Sequence, residues 1–227
     1  MKKLILLTGL FITSLSFAQT RYCDDIQRVD NFPRLNSDQF KRFGLDKKNK
    51  IDRILVSKDR KELYLLSKDV VVKSYKVAFG LVPEGHKQFE GDYKTPEGIY
   101  YIDGKNPKSA FYLSLHVSYP NKQDIEYAKS KGKSAGGDIM IHGFPNASSR
   151  PDFNKFVGAI HPSNWTAGCI AVTDQEIYEI YNLVQQGTTI EICKMTPKPP
   201  KPQEPQEPQE PQEPTEPSVP EEPQTSK

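Results

Sequence analysis

Residues 51–79 have the sequence IDRILVSKDRKELYLLSKDVVVKSYKVAF, in which apolar runs alternate with short polar breaks. The three runs, rich in β-branched and aromatic residues, are residues 51–56, 62–66 and 70–79. The breaks at residues 58–60 and 67–69 consist of charged and polar residues that are common in turns. Short runs of this kind, separated by turn residues, predict a meander of antiparallel strands.

Outward from this meander, five more short runs predict strands: residues 98–102, 111–117, 139–142, 169–172 and 188–192. Helical patterns are few. Thr173 and Glu176 have the spacing of a capping box, and apolar residues at helical spacing follow until Gly187. Residues 38–43 predict one further short helix. We therefore expect a mainly β protein with minor α, although periodicity alone does not say how its sheets pack.

The charge balance and the residue spacing exclude some classes of function. The chain has 31 Lys and Arg against 29 Asp and Glu, a formal net charge of +2. This falls short of the clustered basic face of a nucleic-acid binder, so we expect no nucleic-acid partner. The 4 histidines and 3 cysteines show no CxxC or HxxxH spacing. We therefore expect neither a metal site nor a cofactor.

The N-terminus has the features of a secretory signal peptide. Lys2 and Lys3 precede an apolar run over residues 4–15, and small residues lead to a cleavage site after Ala18. The apolar run is shorter than the ~20 residues that span a bilayer, and no later run reaches that length. Residues 1–18 are therefore predicted to be a signal peptide, and the mature protein is expected in the periplasm or at the cell surface without a transmembrane span.

The C-terminus differs in composition from the rest of the chain. Residues 197–227 repeat Pro-Gln-Glu and contain no aromatic residue, so this segment lacks the apolar side chains needed for a core. We expect an extended, disordered tail that acts as a spacer, or as a tether to the wall or to a protein partner. The remainder then divides into an extension over residues 19–50 and one folded domain over residues 51–196.

Cys169 is the best indication of chemistry. It lies in the stretch WTAGCIAV at residues 165–172, downstream of an apolar run that ends in His142-Gly143. A cysteine is a strong nucleophile near neutral pH when a base or a positive field lowers its pKa, and a histidine at a strand end would do this. The pattern predicts a cysteine acyltransferase or hydrolase. The alternative is that Cys169 is a small buried apolar residue.

The other two cysteines lie on either side of the folded region. A bridge between Cys23 and Cys193 would close nearly the whole domain into one loop. Alternatively, Cys193 is a buried strand residue and Cys23 an exposed thiol. Both readings remain open at this point.

Three segments carry a resemblance to a known family. They are GDYKTPEGIY at residues 91–100, IHG at residues 141–143 and TAGCI at residues 166–170. Over about residues 51–193 the chain resembles the L,D-transpeptidase catalytic domain (YkuD-like) family of bacterial cell-wall enzymes. The resemblance implies a β-sandwich-like catalytic domain. It also implies that a cysteine attacks the peptidoglycan stem peptide at the L-centre of the diamino acid in position three, and that the acyl group then passes to an amine or to water.

The resemblance also implies roles for individual residues. Cys169 would be the nucleophile, His142 its base, and Gly143 would orient the imidazole through its backbone carbonyl. The backbone N–H groups of Gly168 and Cys169 would form an oxyanion hole. Thr166 matches the Ser/Thr of the family motif and is predicted to contact substrate.

Two more residues are candidate substrate contacts. Trp165 either walls the acyl pocket or packs beneath the nucleophile turn. Arg150 either pairs with a stem-peptide carboxylate or is a solvated loop charge.

The chain departs from the usual family motif. Ala167 stands where a second histidine is usual, and Ala171 where an Asn or Arg is usual. Residues 144–164 form an insertion, within which residues 146–153 are predicted to be a loop and His161 is a candidate for the missing histidine. The chain resembles the branch with a Trp-Thr-x-Gly-Cys-Ile-Ala-Val motif, in which hydrolases also occur. Two alternatives to a transpeptidase therefore stay open: a carboxypeptidase or endopeptidase-type hydrolase, and a non-catalytic wall-binding module.

Overall fold

The computed structural model describes residue 23, residues 32–42, residue 44, residues 51–147 and residues 151–195. The strands in these residues are β1 (Arg53–Ser57), β2 (Glu62–Ser67), β3 (Val70–Lys76), β4 (Gly98–Ser109), β5 (Tyr112–Val117), β6 (Met140–His142), β7 (Ile170–Ala171) and β8 (Thr189–Cys193). The helices are α1 (Ser37–Arg42), α2 (Lys122–Ser130), α3 (Pro151–Ile160) and α4 (Asp174–Leu183). In this described part of the chain, no helix is both long and apolar enough to cross a bilayer.

The strands form one mixed sheet in the order β3-β2-β1-β8-β4-β5-β6-β7. The first three make the predicted antiparallel meander, and β1 pairs with β8 in parallel. β4 is longer than predicted and joins two halves of the sheet, because residues 98–101 pair with β8 and residues 102–109 pair with β5. The prediction of a mainly β fold with minor α is confirmed.

The sheet curls, so that the chain leaving β3 reaches β7 at the opposite edge. Ala78 and Ala171 exchange two backbone hydrogen bonds of 2.9 and 2.8 Å. The backbone N–H groups of Trp165 and Thr166 both donate to the carbonyl of Phe79, at 3.2 and 3.1 Å. These bonds hold the segment that contains Cys169 against the body of the sheet.

One apolar core lies inside the curl and draws on both halves of the sheet. Leu63 and Leu65 of β2 and Leu115 of β5 are fully buried, and α4 adds Ile177 and Ile180. Each such side chain stabilises the fold by about 1.5–3 kcal/mol relative to full exposure. The core therefore fixes the positions of the strands that carry the candidate site.

Both predicted helices are confirmed. The N–H of Glu176 donates to Thr173 Oγ1 at 3.3 Å, and the Glu176 carboxylate accepts from the Thr173 N–H at 2.8 Å, which completes the capping box of α4. This helix ends at Leu183, short of Gly187. The helix predicted at residues 38–43 is α1, one residue displaced.

Two helices were not predicted. α2 follows an Asn121 cap and buries only Ala128, so its sequence carries little apolar periodicity. α3 occupies much of the insertion, and the loop prediction for residues 146–153 is therefore wrong from Pro151 onward. Pro151 suits the first helical position, and the negative charge of Asp152 in the first turn interacts favourably with the helix dipole.

Cys23 and Cys193 form a disulfide, which leaves Cys169 as the free cysteine. The bridged reading of these cysteines is confirmed. The predicted signal peptide, the C-terminal tail and Arg150 lie outside the described residues. The domain boundaries stay predictions.

Candidate active site

His142 ends β6, and Cys169 directly precedes β7, the neighbouring parallel strand. In the register of β6 and β7, Ile141 is opposite Ile170 and His142 is opposite Ala171. Ile141 and Ile170 are fully buried in the core, and successive side chains point to opposite faces of a strand. Cys169 directly precedes Ile170, so by the same alternation His142 and Cys169 lie on the other face.

The imidazole of His142 is held in one tautomer. Its Nδ1 lies 2.6 Å from the backbone oxygen of Gly143, so Nδ1–H donates and Nε2 keeps a free lone pair. Burial lowers the pKa of His142 to about 4. The side chain is therefore a neutral base at neutral pH. This is the orientation that the sequence analysis expected of Gly143.

Gly143 has its own packing requirement. A Cβ on this residue would lie 2.5 Å from Asp174 Oδ1 and 3.1 Å from the carbonyl oxygen of Phe111. The same Asp174 oxygen accepts the N–H of Phe144 at 2.7 Å. A residue without a side chain lets the start of α4 press against the strand end that carries the base.

Aromatic rings surround His142. The ring centroid of Phe111 lies 4.5 Å from that of His142, and Trp165 lies edge-on at 5.7 Å. Phe153 of α3 packs edge-on against Trp165 at 6.0 Å. These aromatic rings keep water away from His142, which explains why its imidazole is desolvated. Phe111 was missed as a site residue because in the sequence it is one apolar strand residue among many.

The surroundings of Cys169 favour a neutral thiol. Its sulfur donates a weak hydrogen bond to the backbone oxygen of Asp138 at 3.4 Å. Burial raises the pKa of the thiol above its ordinary value, against the opposing effect of the Met140 N–H. In residues 51–147 and 151–195 the sulfur makes no hydrogen bond to His142. Burial, and an imidazole without positive charge, favour the neutral thiol over the thiolate that the sequence indicated.

Thr166 fixes the turn before the nucleophile. It is buried, and its Oγ1 accepts from the Gly168 N–H at 3.1 Å and donates to the Cys169 carbonyl at 2.7 Å. The hydroxyl is thus used inside the turn, where it positions the nucleophile. The Gly168 N–H is engaged as well. The Cys169 N–H has no hydrogen-bond acceptor in the described residues and is the better oxyanion donor.

Gly168 allows this turn to approach a neighbouring loop. Its φ is +138°, and a Cβ there would lie 2.7 Å from the carbonyl oxygen of Lys94. Few L-residues adopt such a φ, and a backbone oxygen cannot move aside as a flexible side chain can.

Substituting Gly168 with Ala should therefore lower the free energy of unfolding by about 2 kcal/mol and displace Cys169. Urea unfolding measures the first effect and the rate of Cys169 alkylation the second. Gly132→Ala is the matched control, since Gly132 has φ +68° but nothing within 4 Å of its Cβ position. Equal losses in the two variants would show that the contact with Lys94 carries no cost.

The GDYKTPEG segment, residues 91–98, forms this neighbouring loop. Asp92 accepts three backbone N–H groups, at 2.8, 3.0 and 3.1 Å, and the Lys87 ammonium at 2.8 Å. The fully buried ammonium of Lys58 donates to Glu97 at 2.8 Å. Both carboxylates thus hold the loop in shape.

The other histidines make contacts elsewhere. His161, the candidate for the missing histidine, packs edge-on against Phe144 at 5.5 Å and makes no hydrogen bond to Cys169 in the described residues. His116 Nδ1 pairs with Asp103 at 2.5 Å. His86 Nε2 lies 3.0 Å from Asp124.

Alkylation of Cys169 should rise steeply with pH, because its raised thiol pKa leaves little thiolate near pH 7. Iodoacetamide labelling followed by intact-protein mass spectrometry, over about pH 6 to 10, measures this. Fast labelling near pH 6 that His142→Gln removes would instead demonstrate a thiolate–imidazolium pair.

In the described residues, no group of three or more His, Cys, Asp or Glu side chains is arranged to hold a metal ion.

Comparisons with known proteins identify the family. The family model for the L,D-transpeptidase catalytic domain (YkuD) matches residues 51–192. The relative named "Putative L,D-transpeptidase YafK", of Escherichia coli K12, is 28% identical over 116 residues, which cover 50% of this chain and 37% of YafK. This chain therefore corresponds to only part of that relative.

This chain is also similar to proteins whose structures have been solved. The helical cell shape determining protein Pgp2 of Campylobacter jejuni is 28% identical, with a TM-score of 0.46, over 69% of this chain and 56% of that chain. An L,D-transpeptidase from Mycobacterium smegmatis is 14% identical, with a TM-score of 0.41, over 63% of this chain and 58% of that chain. Since the family model matches more than half of its length, the protein belongs to the L,D-transpeptidase catalytic domain (YkuD) family.

Proposed function

We propose that this protein is an exported L,D-transpeptidase that acts on peptidoglycan stem peptides through an acyl-enzyme on Cys169. One observation carries the proposal. The free cysteine directly precedes β7, on the sheet face of a neutral histidine whose Nδ1–H is fixed by the Gly143 carbonyl so that Nε2 can accept a proton.

The protonation states determine the order of the first step. Because thiol and imidazole are both neutral, the Cys169 proton passes to His142 Nε2 as the sulfur attacks the carbonyl at the L-centre of the third stem residue. The C–S bond forms, and the C–N bond to the next residue breaks. His142 then returns the proton to the leaving amine. The Cys169 N–H supports the negative charge on the oxygen.

The Cys23–Cys193 disulfide supports export, because such bonds form and persist in oxidising compartments. A periplasmic or cell-surface location is part of the proposal, and so is the role of the tail as a spacer or tether.

A hydrolase on the same scaffold is the second candidate function. Ala167 is exposed two residues before the nucleophile, at the position where the usual motif has a histidine. Its methyl group cannot hold an acceptor amine, whereas water needs no such contact. This observation favours hydrolysis of the acyl-enzyme.

Product analysis tests the proposal. Purified sacculi are incubated with the mature protein and with Cys169→Ala, digested with a muramidase, and separated by liquid chromatography with mass spectrometry. New cross-links or exchanged terminal residues that require Cys169 would support the transpeptidase. Shortened stems alone would support the hydrolase, and unchanged muropeptides would leave the wall-binding module.

A further inference from the structure

Asp138 is an acidic residue whose backbone contacts the candidate nucleophile. It lies two residues before β6, is exposed, and has a left-handed backbone with φ +53°. Its backbone oxygen is 3.4 Å from the sulfur of Cys169. Within residues 51–147 and 151–195, its carboxylate makes no hydrogen bond or ion pair.

This carboxylate opposes formation of the nucleophile. Its negative charge contributes to raising the pKa of the Cys169 thiol. A group that works against the thiolate does not assist the first half of the reaction. This leaves the second half of the reaction, in which the sulfur is already acylated, as the step on which Asp138 can act.

The other charged group that acts on the sulfur, Lys87, is already engaged. The Lys87 ammonium, which favours the thiolate, is buried and bound by Asp92 and by the carbonyl of Phe89. His142 is neutral at neutral pH because of its lowered pKa. Asp103, farther along the same sheet, is paired with His116. Among the described residues, Asp138 is the exposed carboxylate without a hydrogen-bond or ion-pair partner whose own backbone contacts the sulfur.

We propose that the Asp138 carboxylate binds the ammonium group of the acyl acceptor, and so directs the acyl-enzyme toward transfer instead of hydrolysis. The inference rests on the proposed acyl-enzyme at Cys169. The Asp138 carboxylate supplies a polar contact for the acceptor, which the methyl group of Ala167 cannot make. The ligand class is a primary ammonium, such as the side-chain amine of a diamino acid in a neighbouring stem.

Transfer of the acyl group to the amine conserves atoms and protons. The bound ammonium gives one proton to water, and its nitrogen attacks the thioester carbon. The C–S bond breaks as the C–N bond forms. The second proton passes from nitrogen through His142 Nε2 to the departing sulfur, which restores the thiol.

Asp138→Asn tests the inference, since Asn has nearly the same shape and tolerates a left-handed backbone. Full-length mature protein is incubated with sacculi and increasing isotopically labelled glycine, and the ratio of exchanged to merely shortened stems is measured. We expect the ratio to fall about fivefold at a given glycine concentration. Iodoacetamide should meanwhile label Cys169 about threefold faster, because a charge that opposes the thiolate is gone.

Glu90→Gln is the matched control. It removes the same charge from an exposed residue of the loop that packs beside Gly136, and Glu90 does not contribute to the Cys169 pKa. Its ratio and labelling rate should equal those of the wild type. A purely structural role for Asp138 would lower labelling and both products together, and that result would overturn the inference.

Failure of this inference can be distinguished from failure of the proposed function. An Asp138→Asn ratio equal to that of the wild type overturns this inference and leaves the transpeptidase standing. Wild-type protein that shortens stems but never incorporates glycine also overturns it, and points to a hydrolase. A wild type without any product overturns the proposed function together with this inference.

Discussion

His142→Gln should slow acylation of Cys169 by about 10²–10⁴-fold, the usual contribution of a positioned general base. Glutamine has a side chain of similar length but accepts no proton at neutral pH. Among the described residues, His142 is the histidine on the sheet face of Cys169, and its Nε2 is unprotonated. Since the thiol itself is neutral, removal of the base leaves the proton without an acceptor.

The measurement is single-turnover formation of the acyl-enzyme with a stem tetrapeptide, followed by intact-protein mass spectrometry. His161→Gln is the matched control, because His161 is also a partly buried, aromatic-packed histidine but contacts Phe144. It should change the rate less than about threefold. A large loss in His161→Gln and a small one in His142→Gln would reverse the assignment of the base.

Removal of the Cys23–Cys193 disulfide should lower the free energy of unfolding by about 2–5 kcal/mol. The bond joins residues 170 positions apart, so it restricts the unfolded chain over nearly the whole domain. It also holds Cys23 against a small apolar cluster that contains Leu55 and Tyr64. The Cys23 N–H donates to Glu191 at 3.1 Å.

Equilibrium unfolding in guanidinium chloride of the wild type and of the double variant Cys23→Ala/Cys193→Ala measures this difference. Thiol titration of the denatured wild type gives the control, with Cys169 as the free thiol before reduction and all 3 cysteines after it. A loss below about 1 kcal/mol would contradict the expected restriction of the unfolded chain.

Much of the fold could be predicted from local patterns. The alternating runs at residues 51–79 predicted the meander, and the Thr173–Glu176 capping box predicted where α4 begins. α2 escaped prediction because it buries only Ala128 and therefore lacks an apolar stripe. The full length of β4 was not predicted, because its second half, residues 102–109, is polar and becomes a strand only by pairing with β5.

The candidate site divides in the same way. Cys169 with an upstream His142 indicated cysteine chemistry from the residues, and the resemblance to the family implied the role of Gly143. Their protonation could not be predicted. The pKa of a thiol or an imidazole depends on desolvation by rings such as Phe111 and Trp165, which approach from distant parts of the chain.

The sequence by itself determined the β-rich pattern through residue type and short-range spacing, and its motifs carried the family resemblance, which implies Cys169 as nucleophile and His142 as base. Tertiary structure alone decided that burial favours the neutral forms of Cys169 and His142, that Thr166 and the Gly168 N–H serve the turn, that Cys23 pairs with Cys193, and that the backbone oxygen of Asp138 contacts the sulfur. Each of these depends on burial or on contacts between remote segments, which the curl of the sheet creates and local periodicity does not specify.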